Sequence, residues 1–354
     1  MSQPASKHPS GPTSRECSPK VTDLQPAIFG DERASSLLDL AKGAALRGEH
    51  TLASHLFSRA LENDDRDLAG ILGLATSQLM LGKASTAEEL AQRALTIAPN
   101  RPDAHLILAN IRIAQERYHE AVTYLRKAIA VDPNYSVGFS RLGTILTALG
   151  ENATAEPILL RALVLNPTDT DALNSIGNVV LANGDPKGAT LHFERAIAAN
   201  PGWLQPRVNL AKALEQLNSV EDAIGVLEDL LTQDPRHLEA KVYLAGLLNR
   251  VGNFRRTLDL LDETLEEQPE HLGALFLAGL VYLQDDQPDE ALEFLERAAV
   301  LAPDSVDVKL NLVAAYRSVK RLDKALTTAR RAVESNPGQA PTLNALGSVL
   351  LDLN

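Results

Sequence analysis

Eight prolines, Pro99, Pro133, Pro167, Pro201, Pro235, Pro269, Pro303 and Pro337, stand 34 residues apart without a gap. At an average proline frequency of about 5%, seven further hits at one offset arise by chance with a probability of roughly 10⁻⁹. A fixed period of this length means copies of one supersecondary unit, each too small to bury its own apolar face, so neighbours must stack. The division of 354 residues into about two globular domains therefore does not apply.

With the proline at position 32, units run 34–67, 68–101, 102–135, 136–169, 170–203, 204–237, 238–271, 272–305 and 306–339, with a half unit at 340–354. Other columns then repeat independently. Position 8 is Ala or Gly everywhere except Val313, and position 20 is Ala everywhere except Thr257. Position 27 departs from Ala only at Leu230 and Thr264. Large apolar residues recur at position 7 (Leu40, Leu74, Leu108) and at position 24 (Phe57, Leu125, Leu159, Phe193), as knobs for those small-residue holes. Within a unit the apolar residues fall at helical spacing in two runs, broken near position 15 by Gly48, Gly150, Gly184 or Gly252. Each unit reads as a helical hairpin, with the proline ending the second helix. Aromatic residues are only 4% of the chain, so Ala and Leu, both strong helix formers, must build the core.

This column set resembles the tetratricopeptide repeat family, whose 34-residue unit carries W-x2-L-G-x2-Y, then A-x3-F, then A and P. The resemblance covers residues 34–354 and implies an all-α fold, a right-handed solenoid of helical hairpins. The Trp column is lost (Leu37, Ile71, His105, Phe139 and onward), and the Tyr column survives only as Tyr282 and Tyr316. Residues 1–33, with five Ser and five Pro, are expected to form a disordered tail. The half unit ends in an apolar helix (Leu343, Leu346, Val349, Leu350) without its second helix, whereas solenoids normally end on a polar cap. Thr257 and Thr264 in the seventh unit predict looser packing there.

Composition removes several function classes. A net charge of −12 disfavours phosphate backbones, so no nucleic-acid partner is expected. Cys17 is the only cysteine, which leaves no internal disulfide and no thiolate zinc site. No secretory h-region opens the chain and no run of 18 uncharged apolar residues follows, so no membrane insertion and a cytoplasmic location are expected. Phosphate loops, GxGxxG, GxSxG and HExxH are all absent, and the eight histidines are scattered. No enzyme, cofactor or metal site is expected.

A stack of hairpins lines a groove with its first helices, and the resemblance places groove residues at positions 2, 5, 9 and 12. This implies an apolar entrance (Leu38, Leu72, Leu79, Leu106, Ile113), a polar middle (Asn174, Asn178, Lys212, Asn249, with Asn209 at the neighbouring position 6), and a second apolar patch (Phe276, Leu280, Leu283, Leu310). Asn amides donate and accept together, which suits the backbone of an extended peptide. The carboxylate-clamp subtype is disfavoured, because Asn174, Glu239 and Tyr243 replace its cations, although Asn178 and Asn209 match. An Asn ladder at position 6, as in O-GlcNAc transferases, is present only at Asn209 and Asn311. Charge is banded: unit 272–305 carries seven acids and Arg297, whereas unit 306–339 carries seven Lys/Arg against three acids. The expected function is a non-enzymatic scaffold or adaptor that binds a partner protein or peptide in the groove. Two alternatives stay open: the recruiting arm of a longer glycosyl- or sulfotransferase, and self-assembly through the half repeat.

Overall fold

The computed structural model describes residues 34–353; the tail expected at 1–33 lies outside the described residues. The chain divides into two compact units, 1–133 and 134–354. In the first, the described helices are α1 (Ala34–Leu46), α2 (His50–Asn63), α3 (Leu68–Met80), α4 (Ala84–Ile97), α5 (Pro102–Ala114) and α6 (Tyr118–Val131). The second holds α7 (Ser136–Ala148), α8 (Asn152–Leu165), α9 (Thr170–Ala182), α10 (Pro186–Ala199), α11 (Gln205–Gln216), α12 (Val220–Gln233), α13 (Leu238–Arg250), α14 (Phe254–Glu267), α15 (Leu272–Gln284), α16 (Pro288–Leu301), α17 (Val306–Ser318), α18 (Leu322–Ser335) and α19 (Ala340–Asp352). Every described regular element is a helix. In each unit, successive helices pair into hairpins that pack on the next hairpin.

Each hairpin turns on one left-handed residue. Position 15 has positive φ in all nine hairpins: Gly48, Gly82, Gly150, Gly184 and Gly252, but also Glu116, Asn218, Asp286 and Lys320. The following amide then reaches back five residues to a carbonyl of the first helix, as in Lys83 N to Gln78 O (2.9 Å) and Arg117 N to Arg112 O (2.8 Å). This is the bond that closes a Schellman motif. The proline column works through its predecessor. The residue before proline is driven out of the helical region, and Ala98 (φ −140°, ψ 95°) and Asp132 (φ −130°, ψ 101°) end α4 and α6 in extended conformation. Asp64, before Asp65 rather than a proline, adopts the same geometry (φ −143°, ψ 99°).

Small and large columns interlock as their sizes require. A Cβ built on Gly143 would lie 2.4 Å from Leu159 Cδ2; on Gly177, 2.5 Å from the Phe193 ring; on Gly279, 2.5 Å from Leu295 Cγ. The knob of position 24 thus occupies the volume that a side chain at position 8 would need. The Ala columns Ala87, Ala121, Ala155, Ala189, Ala223 and Ala291 are all fully buried. Thr257 and Thr264, expected to loosen the packing, are fully buried too. Their hydroxyls donate back along α14, to Asn253 O (2.9 Å) and Leu260 O (2.7 Å), so neither is orphaned.

A further column ties hairpin to hairpin. Arg195 Nη2 donates to Pro167 O (3.2 Å) and Arg297 Nη2 to Pro269 O (2.7 Å), each 28 residues back. Arg93 makes the equivalent bond to Asp65 O in the first unit. The arginine of position 26 thereby caps the carbonyl freed where the preceding hairpin ends.

Candidate functional site

In the second unit, α7 and α9 are the first helices of neighbouring hairpins and stand side by side. With the start of α8 they wall a recess of about 400 Å³, lined by Thr144, Thr147, Ala148, Gly150, Asn152, Asn174, Ser175, Asn178 and Ala182. Its lining is hydroxyl and amide groups over small apolar residues, with no charged side chain. The residues sit there because positions 5, 6, 9 and 12 of a first helix share one face at 3.6 residues per turn.

Hydrogen bonds fix this wall. Asn209 Nδ2 donates to Asn174 Oδ1 (2.9 Å), with the two residues only 7% and 8% exposed. The Thr144 and Ser175 hydroxyls share a hydrogen bond of 2.9 Å, and Thr147 donates to Gly143 O (2.9 Å). Ser140 donates to Asp169 Oδ1 (3.0 Å), which also caps α9 by accepting from Ala172 N. Asn178 is half-buried on the recess wall, and its amide makes no hydrogen bond to the described residues. That amide is therefore uncommitted to the rest of the described structure.

The other expected groove residues fall into different surroundings. Lys212 Nζ bonds Glu239 Oε1 (3.0 Å) and lies 5.9 Å from the centre of the Tyr243 ring. Tyr243 in turn donates to Glu215 Oε2 (2.5 Å), and Arg250 pairs with the other oxygen of that carboxylate. Burial, reinforced by the Glu215 carboxylate, pushes the Tyr243 hydroxyl well above its ordinary range, so it stays a donor. The cations of this region are thus matched by carboxylates. Asn249 is half-buried, with Oδ1 shielded from solvent and without a partner among the described residues. Phe276 and Leu283 pack, partly buried, against the core around Leu275 and Leu295, and Leu280 is half-buried. Leu72, expected at the apolar entrance, is buried at 7% exposure in the core around Ala75, and Leu79 packs against the same core.

The recess thus unites Asn174, Asn178 and, through its bond to Asn174, Asn209. It leaves Lys212, Asn249, Phe276, Leu280 and Leu283 outside its lining. Thr144, Thr147 and Ser175 belong to it and were missed by reading Asn alone; applying positions 6, 9 and 12 to the fourth and fifth units finds them. The charge bands also meet: Arg321 pairs with Asp289 (3.6 Å), Lys324 with Glu296 (3.2 Å), and Tyr316 donates to Glu296 (2.6 Å). That hydroxyl and Lys324 hold the Glu296 carboxyl below its ordinary range. Among the described residues no group of three or more His, Cys, Asp or Glu forms a metal cluster, and no helix is long and apolar enough to cross a membrane.

Family models described as tetratricopeptide repeat match residues 38–102, 102–135, 140–202, 180–242 and 282–348. The model of the anaphase-promoting complex, cyclosome, subunit 3 matches 219–298. No curated protein sequence matches the chain. A tetratricopeptide repeat protein from Parabacteroides merdae is similar in structure over 70% of this chain and 98% of its own, at 18% identity and a TM-score of 0.54. Yeast Tom70 is similar over 90% and 95%, at 13% identity and a TM-score of 0.50. PilW, a type IV pilus biogenesis factor, is similar over 58% and 96%, at 19% identity and a TM-score of 0.50. At these identities the likeness speaks to the fold.

Proposed function

The chain belongs to the tetratricopeptide repeat family, and from that premise we propose that it is a non-enzymatic, cytoplasmic scaffold that holds an extended segment of a partner protein. The observation that carries this reading is the uncommitted Asn178 amide on a wall where Thr144, Thr147, Asn174 and Ser175 are already hydrogen-bonded. A buried Asn pair such as Asn174 and Asn209 costs free energy unless its amides are satisfied and oriented, and once oriented it fixes the shape of the recess. Asn178, on the recess lining, can both donate through its NH2 and accept through its carbonyl oxygen, as pairing with a peptide unit requires. The lack of charge in the lining favours a partner segment without ionised side chains at the point of contact. Lys212 and Arg250, being paired to Glu239 and Glu215, add no net attraction for an acidic tail.

A peptide-display selection against the whole chain tests this. Wild type is expected to enrich uncharged extended peptides, and Asn178→Ala to lose that enrichment at unchanged thermal stability. Equal enrichment by both proteins would refute the role of Asn178.

A further inference from the structure

We infer that the junction of α10, α11 and α12 holds a second binding site, a slot that takes one lysine side chain of a partner protein. The slot exists because two columns depart together in the sixth unit. Position 4 of a first helix elsewhere carries a large apolar residue that fills its own space, as Ile71, Leu173 and Leu275 do at 0%, 1% and 1% exposure. The sixth unit has Arg207 there, and its Nη1 donates instead to Pro201 O (2.8 Å). Position 26 supplies the reason. Arg195 and Arg297 cap the Pro167 and Pro269 carbonyls from that position, but the sixth unit has Asp229, a carboxylate that accepts and cannot donate, so Arg207 caps Pro201 in its stead. What opens is a slot of about 310 Å³ with Ile197, Leu210 and Val226 in its wall, all three part of the core around Phe193. Glu194, Asp229 and Arg207 complete the charged part of the lining. Neither carboxylate has a hydrogen bond or an ion pair among the described residues. The other unit with a polar residue at position 4 that is not turned onto a partner, the third, opens likewise: His105 lines a recess of about 660 Å³ between α5 and α6.

The next unit displays what such a slot accepts. In the seventh unit position 4 is Lys241, only 4% exposed, and position 26 is again an acid, Glu263. Lys241 Nζ lies 3.2 Å from Glu263 Oε2 and 3.0 Å from Glu267 Oε1. The aliphatic stem is covered by the hairpin while the ammonium rests on two carboxylates, the arrangement that suits a long amphipathic side chain. The sixth unit keeps the acid of position 26 and lacks the lysine, and Glu194 from α10 supplies a second carboxylate. A lysine delivered by another chain therefore meets the two things that hold Lys241, an apolar wall for four methylenes and a pair of unpaired acids. Two carboxylates against one guanidinium leave the lining net negative, which favours a cation over a neutral or anionic side chain. Arg207 in the same lining repels a second ammonium, so a protein lysine fits better than a polyamine. The slot shares no residue with the recess between α7 and α9.

The test uses the whole chain with labelled methyl groups, titrated in an NMR experiment with N-acetyl-lysine amide and, separately, with N-acetyl-norleucine amide, which has the stem without the charge. The lysine probe is expected to shift the Ile197, Leu210 and Val226 methyls saturably, and the norleucine probe to bind at least about tenfold more weakly. Asp229→Asn keeps the size of an exposed side chain and removes its charge; it is expected to weaken the lysine probe at least about tenfold while leaving the other methyl signals in place. Arg207→Leu restores the column residue, fills the slot from within and is expected to abolish the shifts. Absence of saturable shifts at the three methyls, equal binding of the two probes, or equal binding by Asp229→Asn would overturn the site. Spermidine binding more tightly than the lysine probe would overturn the assignment to a protein side chain. Asn178→Ala is expected to leave the titration unchanged, so failure at either site is read separately.

Discussion

At the residue scale, the turn of every hairpin depends on a conformation that only some residues accept. Glu116 (φ 59°) and Lys320 (φ 58°) sit in the left-handed region, where a side chain with a Cβ is strained by about 1–2 kcal/mol. Part of that gain is returned by the greater freedom of glycine in the unfolded chain. Glu116→Gly and Lys320→Gly are each expected to stabilise by about 0.5–1 kcal/mol, measured as denaturation midpoints; destabilisation would mean that the side chains make contacts worth more than the strain. The glycines of position 15 announced this turn in the sequence, but Glu116 and Lys320 did not, because strain is a property of the backbone that residue identity alone does not carry. Two histidines make a pH prediction. Burial, helped by Lys127, lowers His105, and burial, helped by Arg195, lowers His192. The unfolded chain therefore binds more protons as pH falls below about 6.5, and the stabilisation present above that pH is lost on acidification. Melting curves at pH 7.5 and 5.5 should show a loss at the lower pH that shrinks in a His105→Gln/His192→Gln variant.

At the scale of elements, one substitution has opposite consequences at equivalent positions. Gly143→Ala forces a Cβ to within 2.4 Å of Leu159 and is expected to destabilise, overpacking by about 1–3 kcal/mol. Gly347→Ala meets nothing and is expected to stabilise by up to about 1 kcal/mol through helix propensity. Chemical denaturation of both variants checks the pair, and a like sign for both would contradict the knob-and-hole reading of the hairpin. The period, the hairpins and the small columns were legible because close helix approach restricts side-chain volume at fixed positions. The arginine clamp from Arg195 and Arg297 to the preceding Pro167 and Pro269 carbonyls was not. An exposed Arg at a helical position has many uses, and only the geometry shows which backbone oxygen it meets.

At the scale of the molecule, charge and recognition separate. The bands of opposite sign in the eighth and ninth units, legible as counts, meet at Arg321–Asp289 and Lys324–Glu296. The polar middle of the expected groove resolves into an uncharged recess and a separate Lys212–Glu239 and Glu215–Arg250 network. Column positions located Asn174, Asn178 and Asn209, but which amides bond each other and which remains open follows from side-chain geometry. The most direct test of the recess places a photo-crosslinking amino acid at position 178 and, in a second protein, at Val164, which is 70% exposed on α8. Irradiation in the native cell should yield a defined crosslinked partner peptide from position 178 and none from position 164. The same partners from both positions, or none from position 178, would contradict a peptide-binding recess between α7 and α9.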